Sequence, residues 1–111
     1  MRILKSESIH KDVRRSIHQL VTTDIKQVNL YEVNQNSILG NHYHKLTNEY
    51  FYILRGLFML KVNGKSSVVG KGYFFVVEPE ERHSIECVSK NGSFFTFLTK
   101  PYSENDTDTY K

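Results

Sequence analysis

Beyond residue 25 no stretch of the chain sustains the 3.6-residue repeat of an amphipathic helix, and short apolar runs recur instead between Gly, Asn and Pro. Lys26 to Val33 alternates, with Val28 and Leu30 on one face and Gln27, Asn29 and Tyr31 on the other, as a strand requires. Glu49 to Arg55 (EYFYILR) is nearly continuous in apolar residues, which predicts a strand buried on both faces and ended by Gly56. Leu57 to Val62 and Lys65 to Val69 flank Asn63-Gly64, a dipeptide suited to the two positive-φ positions of a type I′ turn, and so predict a hairpin. Tyr73 to Val77 is a further apolar strand before Pro79. His83 to Val88 and Ser93 to Thr99 flank a second Asn-Gly at Asn91-Gly92, read the same way. About eight short strands at close spacing predict an all-β sandwich or barrel.

The ends of the chain are less patterned. Ile3 and Leu4, then Ile17, Leu20 and Val21, are candidate strands that pair with the barrel or with a second subunit. Residues 102–111 (YSENDTDTYK) are polar, follow Pro101 and show no period, so they are expected to form a flexible polar tail after a single domain over residues 1–101. At 111 residues there is room for one core and no second one.

Composition changes this picture little. Seven Phe and seven Tyr supply large apolar area without any Trp. The formal charge of +3 is spread among interspersed acids, which argues against a nucleic-acid partner. Cys87 is the only cysteine, so no intrachain disulfide forms, and its place in an apolar strand is that of a small buried hydrophobe rather than a nucleophile. The opening MRILKSES lacks the apolar run of a signal peptide or membrane span, and a cytoplasmic protein without membrane partners is expected.

The chemistry concentrates at Gly40-Asn41-His42-Tyr43-His44. On a strand, residues i and i+2 share a face about 7 Å apart at Cα, so the nitrogens of His42 and His44 can meet one ion. Glu49 opens the next strand on the face of Phe51 and Ile53, where a carboxylate needs a partner.

The run Gly40-x-His42-x-His44-(x)4-Glu49-(x)6-Gly56 resembles the first motif of the cupins, and Gly72-(x)6-Pro79-(x)3-His83 resembles the second. The resemblance implies a cupin double-stranded β-helix, a jelly-roll barrel, in which His42, His44, Glu49 and His83 coordinate one metal. Three imidazoles and a carboxylate suit a divalent transition metal such as zinc, manganese, iron or nickel, and suit calcium or magnesium poorly. Two departures stand out. Tyr73 replaces the usual Asp of the second motif, and Glu80 and Glu81 stand where that motif has a glycine.

Asp12-Val13-Arg14-Arg15 and the stretch up to His44-Lys45 are also similar to cupins acting on nucleotide sugars, the dTDP-keto-sugar isomerases and epimerases and the cupin domain of capsular polysaccharide assembling proteins. That similarity implies a small-molecule substrate, a nucleotide sugar, with Arg14 and Arg15 at its diphosphate. It further implies proton abstraction next to a carbonyl, with His42 and His44 as acid and base. A metal-dependent dioxygenase and a non-catalytic binding cupin are the alternatives. A homodimer in which the amino-terminal segment covers a barrel edge is expected.

Overall fold

The structure, a computed structural model, describes residues 2–3 and 7–111, with side chains from Lys11 onward. Among these residues the secondary structure is all β: β1 (Arg2–Ile3), β2 (Glu7–Lys11), β3 (Ser16–Gln19), β4 (Gln27–Asn34), β5 (Ile38–His42), β6 (Glu49–Arg55), β7 (Phe58–Val62), β8 (Lys65–Val69), β9 (Phe74–Val77), β10 (His83–Cys87) and β11 (Asn91–Leu98). A five-stranded sheet in the order β1-β9-β6-β11-β4 faces a four-stranded sheet in the order β5-β10-β7-β8, and β2 and β3 pair only with each other. All pairings are antiparallel. This is the expected double-stranded jelly roll. Leu4, read as part of a first strand, lies outside the described residues, while β1 pairs with β9 of the same chain.

The core fills the space between the sheets with Phe51, Ile53, Phe58, Leu60, Phe75, Ile85, Cys87 and Phe94 among its members. Aromatic rings knit the sheets together. Phe51 stacks on Phe75 at 4.8 Å between centroids, and Phe94 meets Phe58 edge-on at 5.3 Å. Cys87 is fully buried and its thiol donates to the Ser89 carbonyl, as suits a hydrophobe in the core.

Asn63 and Gly64 take φ of 49° and 83°, so the β7–β8 hairpin turns as its dipeptide predicts. The second Asn-Gly does not. β10 pairs with β5 and β7, whereas β11 pairs with β4 and β6, so the chain passes from one sheet to the other there instead of making a hairpin. Gly92 serves packing: a Cβ on it would lie 2.5 Å from Cζ of Phe58.

Two further expectations need correction. β6 is buried on one face only, with Glu49, Phe51 and Ile53 inside and Tyr50, Tyr52 and Leu54 half-buried outside. The segment 102–111 is not loose throughout. Asp108 is buried, and Tyr43 and Tyr110 exchange both backbone hydrogen bonds at 2.9 Å. Composition underrates this segment because its anchoring comes mainly from hydrogen bonds, with one stacked ring pair, and not from a run of apolar residues.

Candidate metal centre and its cavity

The two sheets bring the four motif residues together from opposite sides. In the four-stranded sheet His42 at the end of β5 lies directly across from His83 at the start of β10, with a register shift just beyond the pair. Gly40 makes that approach possible. Its φ is +92° and a Cβ there would sit 3.0 Å from the His83 carbonyl oxygen, so only glycine fits without displacement. Glu49 comes from the facing sheet, at the start of β6, beside Leu98 of β11 and Val77 of β9. His44 follows β5 after Tyr43, and the Glu80 N–H donates to its carbonyl at 2.6 Å. Glu80 has φ of 71°, so the left-handed bend for which the second motif has a glycine is made here by a glutamate.

One potential ligand atom from each of His42, His44, Glu49 and His83 falls within 4.8 Å of the others. The ring centroids of the three histidines are 4.8 to 5.2 Å apart. Nε2 of His44 and of His83 lie 3.1 and 3.3 Å from the same Glu49 oxygen, Oε1. The other nitrogen of each ring is already committed. Nδ1 of His44 donates to the Asp108 carbonyl at 2.8 Å and Nδ1 of His83 donates to the Glu81 carbonyl at 3.0 Å, because a carbonyl can only accept.

The electrostatics follow from this geometry. Burial opposes the charge of Glu49, but hydrogen bonds from His44 and His83 outweigh it and hold the carboxyl down at about 2. Burial also opposes a charge on His44, and there the Glu49 carboxylate and the Asp108 carbonyl prevail and raise its pKa. His42 goes the other way: burial, then repulsion from His83 and His44, push it down to about 4, so it is neutral at pH 7. Two neutral rings with Nδ1–H engaged would turn Nε2 lone pairs toward a carboxylate oxygen. A proton or a cation resolves that opposition, and the set of three imidazoles and one carboxylate fits a divalent transition ion.

Beside the cluster opens a cavity of about 660 Å³ lined by His42, His44 and Glu49 together with Gln27, Asn29 and Tyr31 of β4, Lys100, Tyr102, and Thr107 and Thr109 of the carboxyl-terminal segment. The polar face of β4 therefore looks inward, while Val28 and Leu30 are half exposed, Leu30 also contributing to the cavity lining. Burial raises the Tyr31 hydroxyl above its ordinary pKa, and the Glu49 charge adds to the effect. The alternation of β4 contains the signal for this lining once its polar face is taken as the inner one. Nothing in the sequence marks Thr107 or Thr109.

Arg14 and Arg15 are not brought to this place. They are exposed in the turn between β2 and β3, where Asp12 Oδ1 accepts both backbone N–H groups at 2.8 and 3.0 Å, and neither lines the cavity. No helix of the described structure is long and apolar enough to cross a membrane.

An antiparallel jelly roll with three histidines and a glutamate gathered between its sheets defines the class of barrel. The family model for the Cupin domain matches residues 29–97, and the chain belongs to that family. Among solved structures, a 3,4-ketoisomerase from Helicobacter canadensis is similar with a TM-score of 0.78 and 17% identity, covering 94% of this chain and 86% of that one. A mutant 3,4-ketoisomerase from Thermoanaerobacterium thermosaccharolyticum, in complex with TDP-4-keto-6-deoxyglucose, has a TM-score of 0.69 and 16% identity over 94% and 83% of the two chains. The capsular polysaccharide assembling protein CapF from Staphylococcus aureus has a TM-score of 0.72 and 22% identity over 91% of this chain, which spans only 32% of CapF. These likenesses are of fold. No curated protein sequence matches the chain.

Proposed function

We propose that this cupin acts on a keto-sugar, carried on a nucleotide, as an isomerase or epimerase when its site is metal-free, and that His42, His44, Glu49 and His83 can alternatively hold one divalent transition metal. The observation that carries the metal reading is the convergence of two Nδ1-anchored imidazoles on one carboxylate oxygen at 3.1 and 3.3 Å. For the substrate, support comes from a cavity large enough for a sugar and lined by amide, hydroxyl and ammonium groups that suit its hydroxyls. The likeness in fold to 3,4-ketoisomerases supports this choice of reaction class.

In this reading His42 and His44 face the reacting carbons. His42 is the stronger candidate base, since its depressed pKa leaves it neutral at pH 7. A histidine that gives its lone pair to an ion cannot also take a proton, so metal content and proton transfer at His42 exclude each other. In the metal-bound form the ion would act as a Lewis acid toward an oxygen of the bound molecule, with His42 serving as ligand and not as base. The complete four-residue ligand set also favours a second reading, a metal-dependent dioxygenase.

The test is hydrogen exchange. Incubated in deuterated water with TDP-4-keto-6-deoxyglucose, the protein should place deuterium beside the carbonyl, and His42→Ala should abolish the incorporation. Equilibration with zinc, manganese, iron and nickel in turn should give about one metal per chain, lost in the His42→Ala/His44→Ala double variant. Absence of exchange together with oxygen consumption by the iron-loaded protein would replace the isomerase with the dioxygenase. Less than a tenth of an equivalent of every metal would remove the metal.

A further inference from the structure

Residues 107–110 pack against the loop that follows His44. Asp108 is only 4% exposed although it lies three residues from the terminus and is flanked by polar residues on both sides. Its carboxylate gathers the loop that follows His44: Oδ1 accepts the Lys45 N–H at 3.1 Å, and Oδ2 accepts the N–H groups of Leu46 and Thr47 at 2.9 and 2.8 Å and the Thr47 hydroxyl at 2.7 Å. Its own carbonyl takes the Nδ1–H of His44 at 2.8 Å. A single residue thus fixes both the ring of His44 and the backbone that leads from it to Glu49.

The neighbours of Asp108 hold it in place. Tyr110 forms a two-way backbone bridge with Tyr43, the residue between the two histidines, and stacks on its ring at 5.6 Å. Lys45 Nζ lies 4.3 Å from the centroid of the Tyr110 ring, a cation–π contact that adds to this hold. With Asp108 turned toward the loop, Thr107 and Thr109 line the cavity. Asp108 has φ of 48°, a conformation that Asp tolerates better than most residues and that the hydrogen bonds maintain.

We propose that residues 107–110 are a strap that completes the site, with Asp108 the positioning residue that fixes His44 so that Nε2 points to the centre. The proposal rests on the reading of the four residues as a metal centre. Partners that orient a ligating imidazole in this way typically contribute about 10- to 100-fold to metal affinity.

Zinc affinity, measured by chelator competition, should fall by about 10- to 100-fold when the chain is stopped after Asp106, and by a similar factor in Asp108→Ala. Asp108→Asn, whose amide oxygen can still accept from Leu46 and Thr47 although its NH2 cannot accept from Lys45, should recover part of the loss. Amide spectra would show whether each variant keeps the barrel, as expected for a change outside the paired sheets. A folded truncated chain binding zinc within threefold of the full chain would overturn the proposal. Should truncation unfold the protein, the folded Asp108→Ala variant decides by the same criterion.

A second measurement needs neither a variant nor a metal. The His44 Nδ1–H should appear in the imidazole 1H–15N spectrum of the metal-free full chain as a resonance protected from solvent exchange. A rapidly exchanging Nδ1–H would overturn the strap. Failure of zinc to bind the full chain, with that proton protected, would instead remove the metal reading and leave the strap standing.

Discussion

Replacing Glu49 by Gln tests the electrostatic core of the site in the metal-free protein. The carboxyl lies 8% exposed between two imidazole nitrogens, and its pKa drops from 4.5 to about 2. At 1.36 kcal/mol per pH unit this corresponds to about 3 kcal/mol favouring the charged form in the folded state. The unfolded chain takes up the proton near pH 4.5 and the folded chain only near 2, so the contribution is complete above 4.5 and is lost as the pH falls through 2. Gln resembles the protonated acid in shape and lack of charge. Glu49→Gln should therefore cost about 3 kcal/mol at pH 7, a fall of about 2 M in urea midpoint at a slope of about 1.5 kcal/mol per molar. At pH 2, where about half of the folded carboxyls are still charged, the difference should shrink to about 0.4 kcal/mol, or about 0.3 M in urea midpoint. The measurement is urea unfolding followed by circular dichroism, with a chelator present. A midpoint difference below about 0.5 M at pH 7, or one undiminished at pH 2, would refute the reasoning.

Two further outcomes follow from the backbone. Gly92→Ala should destabilise by about 1–3 kcal/mol, because the new methyl would meet the fully buried Phe58 ring at 2.5 and 2.8 Å and the Arg55 carbonyl at 3.0 Å; an unchanged urea midpoint would show that the ring yields freely. Glu80→Gly should stabilise by about 0.5–1 kcal/mol, the relief of a left-handed residue less the chain entropy of glycine, and raise Tm by a few degrees. A lowered Tm would mean that the exposed Glu80 side chain contributes more than its backbone strain costs.

The alternating and apolar runs made most strands legible in advance, since a strand records its buried face directly in its residue types. Asn91-Gly92 misled because a glycine required by an aromatic ring 2.5 Å from its absent Cβ looks the same in sequence as one required by a turn. Gln27, Asn29 and Tyr31 were visible as one face of a strand, but the usual assignment of apolar residues to the inside hid that this face lines a cavity. The clustering of the four residues could be read because they stand at matching positions of the two cupin motifs, while strand spacing by itself pointed only to His42 and His44 sharing a face. Asp108 could not, since three of the four hydrogen bonds to its carboxylate come from backbone N–H groups, which any sequence supplies.

The inward polar face of β4 carries a cost that engineering would expose. Between the sheets the barrel is divided into an end packed with Phe and Leu and an end that must stay open and wet to admit a ligand. In so small a domain that open end is volume that contributes little to folding. Filling it, for instance by turning Gln27 and Asn29 into aliphatic residues that reach toward Leu98, is the direct route to a hardier barrel, and the same change would close the entrance to His42. Selection for heat resistance alone should therefore find its first gains along this strand, and should lose the site as it takes them.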